Sequence, residues 1–159
     1  MTDMLANLDL TGTGYCASLN FRRTSRIVTR MYDTAMQESG VRSTQFAILV
    51  GIAKLQPVAM GTLTKVLMLD SSTLTRSLRL LQKEGMIEIS KRAAMRRRFL
   101  KLTRPGEKAL QRSLPLWRAA HARFVATVGA EYWFKLRNEL ETIAKSARMT
   151  KFTQITPED

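Results

Sequence analysis

The sequence predicts a mainly α-helical fold with one small β-hairpin. Apolar residues recur every three or four positions over most of the chain, which is the period of an amphipathic helix. Around residues 87–102 the period changes to two, the alternation of half-buried strands, on either side of a basic run. The helical stripes at the two ends of the chain are the longest. These observations predict short central helices, a hairpin, and long helices before and after them.

The first two helices follow from their stripes and end signals. Gly40 stands where a left-handed residue commonly ends a helix. Ser43 or Thr44 can cap a second helix that stops before Pro57. A short third helix is predicted over residues 60–67. The stripe of the first helix comprises Ile27, Val28, Met31, Tyr32, Ala35 and Met36.

The fourth helix and the hairpin come next. Asp70 or Ser71 can cap the helix, and Gly85 follows its end. Its apolar side consists of Leu74, Leu78 and Leu81. Two strands, marked by Ile87 with Ile89 and by Leu100 with Leu102, flank residues 91–98.

Two long helices complete the chain. Thr103 can cap the fifth helix, Pro105 is tolerated in its first turn, and Pro115 inside it should bend it. Its stripe contains Leu110, Leu114, Trp117, His121, Phe124 and Val128, and that of the sixth helix contains Trp133, Leu136, Leu140, Ile143 and Ala147.

Composition narrows the class of protein. The 159 residues are 45% hydrophobic, a proportion that supports one folded domain over residues 1–159. Lys and Arg number 26 against 13 Asp and Glu, and the net charge of +13 favours a polyanionic partner. No apolar run approaches the roughly 20 residues of a membrane span, and the N-terminal residues lack a secretory pattern. We therefore expect a cytoplasmic protein that does not bind membranes.

Few residues are suited to metal binding or catalysis. Cys16 is the single cysteine and His121 the single histidine, so neither an internal disulfide nor a structural zinc site is expected. The sequence has no phosphate-binding glycine loop, nucleophile elbow or His-Glu-x-x-His motif. We expect no cofactor, no metal and no enzymatic activity.

The central elements form a winged helix-turn-helix, in which a short helix, a turn, a second helix and a basic hairpin follow one another. The fourth helix directs its apolar side inward and its first turns outward, where small hydroxyl side chains allow close approach to DNA. The candidate base contacts are Ser71, Ser72, Thr73, Thr75 and Arg76. The candidate contacts to the DNA backbone, including the hairpin wing, are Ser43, Lys65, Arg79, Arg92, Arg96, Arg97 and Arg98.

At residues 69–78 and 81–87 the chain resembles the recognition helix of MarR-type transcriptional regulators. The segments read Leu-Asp-Ser-Ser-Thr-Leu-Thr-Arg-Ser-Leu and Leu-Gln-Lys-Glu-Gly-Met-Ile, and Leu-Thr-Arg-Pro-Gly at residues 102–106 also resembles the family. The resemblance covers roughly residues 16–146. It implies an obligate homodimer that binds a pseudo-palindromic operator in double-stranded DNA. The family's wing usually reads Asp-x-Arg, whereas this chain has Lys91 and Ala93 there, so Arg92 or Arg96 must replace the wing-tip arginine.

The long terminal helices are the predicted dimerisation elements. Residues 43–103 would form the DNA-binding part, and residues 16–40 and 104–148 would join the two subunits. The apolar stripes of the last two helices exceed what a winged helix needs to cover itself, so Trp117, Phe124, Trp133 and Leu140 are expected to meet a partner subunit. His121 on that stripe is interpreted as a packing residue.

Regulation has two candidate sites. The resemblance implies a small-molecule pocket between the dimer helices and the winged domain, for which Tyr32, Met36, Phe46 and Trp117 are candidate lining residues. It also implies repression rather than activation. Cys16 lies where the family's organic-hydroperoxide sensors carry their reactive cysteine, and a helix N-terminus with Arg22 and Arg23 nearby could activate it. The tyrosines of those sensors are replaced by Asn20, Arg30 and Ser43.

Three alternatives to a ligand-released repressor stay open. Cys16 could make the protein a peroxide or redox sensor. The charge alone would also suit a general nucleic-acid-binding architectural protein, with nearly equal affinity for any duplex. Finally, the replaced wing arginine is compatible with an interaction protein that kept the fold and lost its operator.

Overall fold

The structure is a computed structural model that describes residues 8–92 and 97–150. Its helices are α1 (Ala17–Ala35), α2 (Ser43–Leu55), α3 (Met60–Leu67), α4 (Ser71–Lys83), α5 (Arg104–Val128) and α6 (Ala130–Met149). Its strands are β1 (Val58–Ala59), β2 (Ile87–Arg92) and β3 (Arg97–Leu102), and short 3-10 helices lie at Thr13–Tyr15 and Gln37–Ser39. The chain is mainly helical with a small antiparallel sheet, as predicted.

The chain forms two compact units, Met1–Ala120 and His121–Asp159. The first contains α1 to α4, the three strands and most of α5. Its core consists of apolar side chains from the central helices and the sheet, among them Ile48, Leu49, Ile52, Leu63, Leu74, Leu78, Leu81, Ile87 and Leu100. The apolar side of α4 therefore faces inward, as its spacing predicts. In the second unit Trp133 packs edge-on against Phe124, with ring centroids 5.1 Å apart.

The wing is a three-stranded antiparallel sheet in the order β1-β3-β2. Strands β2 and β3 form the predicted hairpin, with Ile87 opposite Leu102 and Ile89 opposite Leu100. The sequence did not indicate β1, which pairs Val58 with Leu100. A two-residue strand is too short to produce an alternating pattern.

Two predicted helix boundaries are wrong. Helix α1 ends at Ala35, and Gly40, with a φ of 72°, ends the 3-10 turn that follows. Neither Ser43 nor Thr44 caps α2, because Arg42 occupies the N-cap position and its amide donates to Gln45 Oε1 at 2.9 Å. The backbone amide and the hydroxyl of Ser43 both donate to Asp33 Oδ1, at 2.7 Å each. These bonds fix the start of α2 against α1.

The wing and α5 meet at a close backbone contact. Thr103 N donates to the Met86 carbonyl at 3.1 Å, and its hydroxyl donates to the Gly85 carbonyl at 2.5 Å. As predicted, Thr103 also caps α5, because its Oγ1 accepts from Gly106 N at 3.2 Å. A Cβ atom at residue 106 would collide with the Met86 carbonyl oxygen, so this approach requires glycine.

We expect Gly106→Ala to lower the free energy of unfolding by about 1–3 kcal/mol, because the added methyl group must displace the Met86 backbone. Urea unfolding followed by circular dichroism measures the change. Gly61→Ala is the matched control, since a Cβ there meets no atom within 4 Å and alanine favours a helix. Equal stabilities of the two variants would contradict the close contact.

Candidate nucleic-acid interface

The N-terminus of α4 is fixed by Asp70, the predicted cap. Its Oδ1 accepts from Thr73 N at 2.7 Å and from the Ser72 hydroxyl at 2.5 Å. These hydrogen bonds stabilise the carboxylate and hold the pKa of Asp70 well below its ordinary value, the Ser72 hydroxyl having the largest effect. The first turn of α4 is thereby rigid and carries a fixed negative charge at its N-cap.

The outward face of α4 carries the residues predicted to contact bases. Ser71, Ser72, Thr73 and Arg76 are exposed, and Thr75 is half-buried. Arg79 is exposed one turn further along the helix. The helix therefore presents hydroxyl groups at its start and guanidinium groups further along, while its leucines are buried.

Two of these hydroxyl groups donate their protons within the helix. The Ser72 hydroxyl donates to Asp70, and the Thr75 hydroxyl donates to the Ser71 carbonyl at 2.6 Å. Their oxygen lone pairs therefore remain to accept hydrogen bonds from outside. Such groups match the amino groups that cytosine and adenine present in the major groove.

A cavity of about 580 Å³ brings together residues from α3, α4 and β3. Lys65, Ser71 and Arg98, all predicted DNA contacts, line it. The cavity also contains Thr62 and Thr64, which sequence reasoning missed. The exposed hydroxyl of Thr62 near the start of α3 is the signal that could have identified it, since such groups commonly contact phosphates. Two cations and two exposed hydroxyls on one concave surface suit a phosphate group.

The remaining predicted backbone contacts are placed differently. Ser43 is half-buried, and its hydroxyl proton is donated to Asp33. Arg92 and Arg97 are opposite each other at the ends of β2 and β3. Ala93 and Arg96 lie outside the described residues, so the replacement for the family's wing-tip arginine stays a prediction.

The residues predicted to line a ligand pocket separate into two groups. Tyr32, Phe46 and Trp117 line one groove of about 480 Å³, and Phe46 stacks on Trp117 with centroids 5.7 Å apart. Burial raises the pKa of the Tyr32 hydroxyl. Met36 is 0% exposed and belongs to the core rather than to this groove.

The other candidate residues occupy simple environments. Cys16 is exposed at the N-cap of α1. His121 lies 6.4 Å from the Trp133 ring, centroid to centroid, in an edge-on arrangement consistent with a packing role. Among residues 8–92 and 97–150, no cluster of three His, Cys, Asp or Glu side chains could hold a metal ion. None of the described helices is both long and apolar enough to cross a membrane.

Comparison with known proteins identifies the family. Residues 41–98 match the MarR family. The structure is similar to that of the Mycobacterium tuberculosis transcriptional regulator MosR in complex with DNA, with a TM-score of 0.79 and 31% identity over 86% of this chain and 99% of that one. The chain belongs to the MarR family. It is a winged helix-turn-helix, DNA-binding transcriptional regulator and not an enzyme, as predicted.

Other MarR-like structures share the fold at lower identity. The Streptomyces coelicolor regulator PcaV, in complex with its natural ligand, has a TM-score of 0.77 and 19% identity over 88% of this chain and 99% of that one. CouR from Rhodococcus jostii RHA1, bound to p-coumaroyl-CoA, has a TM-score of 0.67 and 18% identity over 87% and 96%. A comparison with curated protein sequences gave no match.

The Asp70 cap predicts a pH dependence that distinguishes it from asparagine, which caps helices without titrating. Because the pKa of Asp70 is lower in the folded protein than the ordinary 3.8, its stabilisation is complete above that value and is lost as the pH falls through the folded-state pKa. The free energy of unfolding of wild type relative to Asp70→Asn should therefore decrease below about pH 4. Urea titrations from neutral to acidic pH measure it, and a constant difference would contradict the assignment.

Proposed function

We propose that this MarR-family protein is a homodimeric, sequence-specific repressor released by a small-molecule ligand. The observation that supports it best is the exposed, rigidly capped start of α4 beside the cavity that contains Lys65 and Arg98. A helix end that can enter a groove then adjoins cations that can hold the DNA backbone. A regulator of chromosomal operators acts in the cytoplasm, so we assign it there.

The outward face of α4 reads the bases in this proposal. Arg76 donates two hydrogen bonds to a guanine edge, and Ser71 and Thr73 contact neighbouring bases. Ser72 and Thr75 accept from cytosine or adenine amino groups, because their own protons are already donated within the helix. The operator half-site would then contain both a guanine and an amino-bearing base.

Basic side chains around this helix hold the phosphates. Lys65, Arg79 and Arg98 serve beside α4, and Arg92, Arg96 and Arg97 serve in the wing. Ser43 is the weakest member of the predicted set. A phosphate only accepts hydrogen bonds, and the Ser43 hydroxyl would have to leave Asp33 to donate to it.

Exposed apolar residues support the proposed homodimer. Helix α1 has no fully buried residue, and Ile27 is 62% exposed, as are other large apolar side chains. These are Leu19 and Phe21 in α1 and Tyr132, Phe134 and Ile143 in α6. Pairing of two chains would cover such surface and give a formal charge of about +26, twice that of one chain. The two recognition helices would enter major grooves about 34–36 Å apart.

The groove lined by Tyr32, Phe46 and Trp117 is the proposed ligand site. Its volume of about 480 Å³ lies within the range of small-molecule sites, and its aromatic lining suits an apolar ligand. Solved relatives carry a natural ligand or p-coumaroyl-CoA. A ligand that favours one arrangement of the subunits would change the separation of the two recognition helices and release DNA.

Redox regulation through Cys16 is the second candidate, favoured by the exposure of its thiol at the N-cap of α1. In that case an organic hydroperoxide would release DNA from wild type but not from Cys16→Ser. An architectural protein would instead bind all duplexes alike, and an interaction protein would bind DNA weakly and have a protein partner.

Affinity selection of random duplexes at about 150 mM salt tests the proposed specificity, because salt suppresses the sequence-independent part of binding. We expect enrichment of an inverted repeat whose half-sites lie about one helical turn apart. Tight binding without enrichment would favour the architectural alternative. Sedimentation of the free and DNA-bound protein tests the dimer.

Arg76→Ala should cost about 1–3 kcal/mol of binding free energy on the selected operator, concentrated at one base position. Arg98→Ala is the matched control, because a phosphate contact should weaken binding to operator and random DNA alike and lower the salt slope by about one. Fluorescence anisotropy with both duplexes over a range of salt measures these effects. Equal losses by Arg76→Ala on operator and random DNA would contradict base reading.

A further inference from the structure

A second cavity lies beside α1 and is larger than the apolar groove. Its volume is about 670 Å³, which exceeds what an inorganic ion needs and falls within the range of small-molecule sites. It is lined by α1, by the 3-10 turn that follows and by the residues that lead into α2. The lining includes Arg26, Arg30, Arg42, Asp33, Ser25 and Thr29.

The charge of this cavity is strongly positive. Three guanidinium groups line it against one carboxylate, that of Asp33. The Asp33 carboxylate already accepts two hydrogen bonds from Ser43, so its charge is directed to the start of α2. Within the part of the chain that the structure describes, neither Arg26 nor Arg30 forms an ion pair. Three like charges around one concavity attract an anion.

We propose that this cavity binds a small organic dianion, either a dicarboxylate or a phosphate monoester. A guanidinium group matches both acid groups because it donates two parallel hydrogen bonds. Arg26 and Arg30, one turn apart on α1, hold one end of the ligand, and Arg42 approaches from the start of α2. The hydroxyls of Ser25 and Thr29 supply further donors.

A small anion suits this cavity better than a second copy of the chain. Helix α1 also carries Arg22 and Arg23, and Asp33 is its one acidic residue. A second α1 placed here would bring arginines against arginines, and such like-charge contacts are unfavourable. An anionic ligand instead neutralises the site.

Ligand binding here would also connect two helices. Arg30 belongs to α1, and Arg42 is the N-cap residue of α2. An anion held by both reinforces the connection that Asp33 and Ser43 already make. The site is separate from the apolar groove, although Thr29 lines both cavities.

Isothermal titration of the full chain with phenyl phosphate and with isophthalate, at low ionic strength, tests the proposal. We expect saturable binding of at least one of them, one molecule per chain, with weaker binding of inorganic phosphate. Arg30→Gln and Arg26→Gln should each lower the affinity about tenfold. Arg23→Gln is the matched control, because it removes the same charge from the same helix at an exposed residue outside the cavity.

The acid that binds more tightly identifies the class of ligand. Absence of saturable binding would overturn the site, and so would an equal loss in Arg23→Gln and Arg30→Gln, which would indicate general charge attraction. Trp117→Leu is a further variant: if it abolishes binding while Arg30→Gln does not, the ligand occupies the apolar groove instead. Should one arginine variant fail to fold by circular dichroism, the other decides. Since no DNA is present, the result is independent of the proposed repressor function.

Discussion

The contact of Gly106 with the Met86 carbonyl is the constraint on which the arrangement of the DNA-binding elements depends. Residue 86 follows the end of α4 and precedes β2, while residue 106 lies in the first turn of α5. Thr103 joins the same two segments through its amide and its hydroxyl. The recognition helix, the wing and the long fifth helix therefore converge on one backbone junction. A movement of α5 near this junction must shift the wing or the end of α4, which gives a physical route between helices and DNA-binding surface.

The predictions from sequence succeeded where a local signal and the packing agree. Asp70 was identified as a cap because a short acceptor preceded an amphipathic run, and burial of Leu74, Leu78 and Leu81 confirmed the face that their spacing predicts. The boundaries failed where a distant partner decides the structure. Ser43 has the chemistry of a cap, but Asp33, ten residues earlier, takes its hydroxyl proton.

Distant partners also explain what sequence reasoning missed at the site. Strand β1 exists only because β3 pairs with it, and this pairing lies close to the cavity that Thr62 and Arg98 share. No spacing within the chain reveals that residues 62 and 98 line one surface, since the contact depends on the fold. The same holds for Arg30 and Arg42, which α1 and the turn after it bring to one cavity. The excess of basic residues was visible from composition, whereas its division between two concave surfaces was not.

The two tryptophans give each compact unit its own fluorophore. Trp117 stacks on Phe46 in the first unit, and Trp133 lies edge-on to Phe124 in the second. The emission of a protein that retains only Trp117 would report on the groove beside α2, and that of a protein that retains only Trp133 would report on the C-terminal unit. The order in which the two units lose structure during denaturation, or respond to an added compound, can therefore be followed without an attached dye.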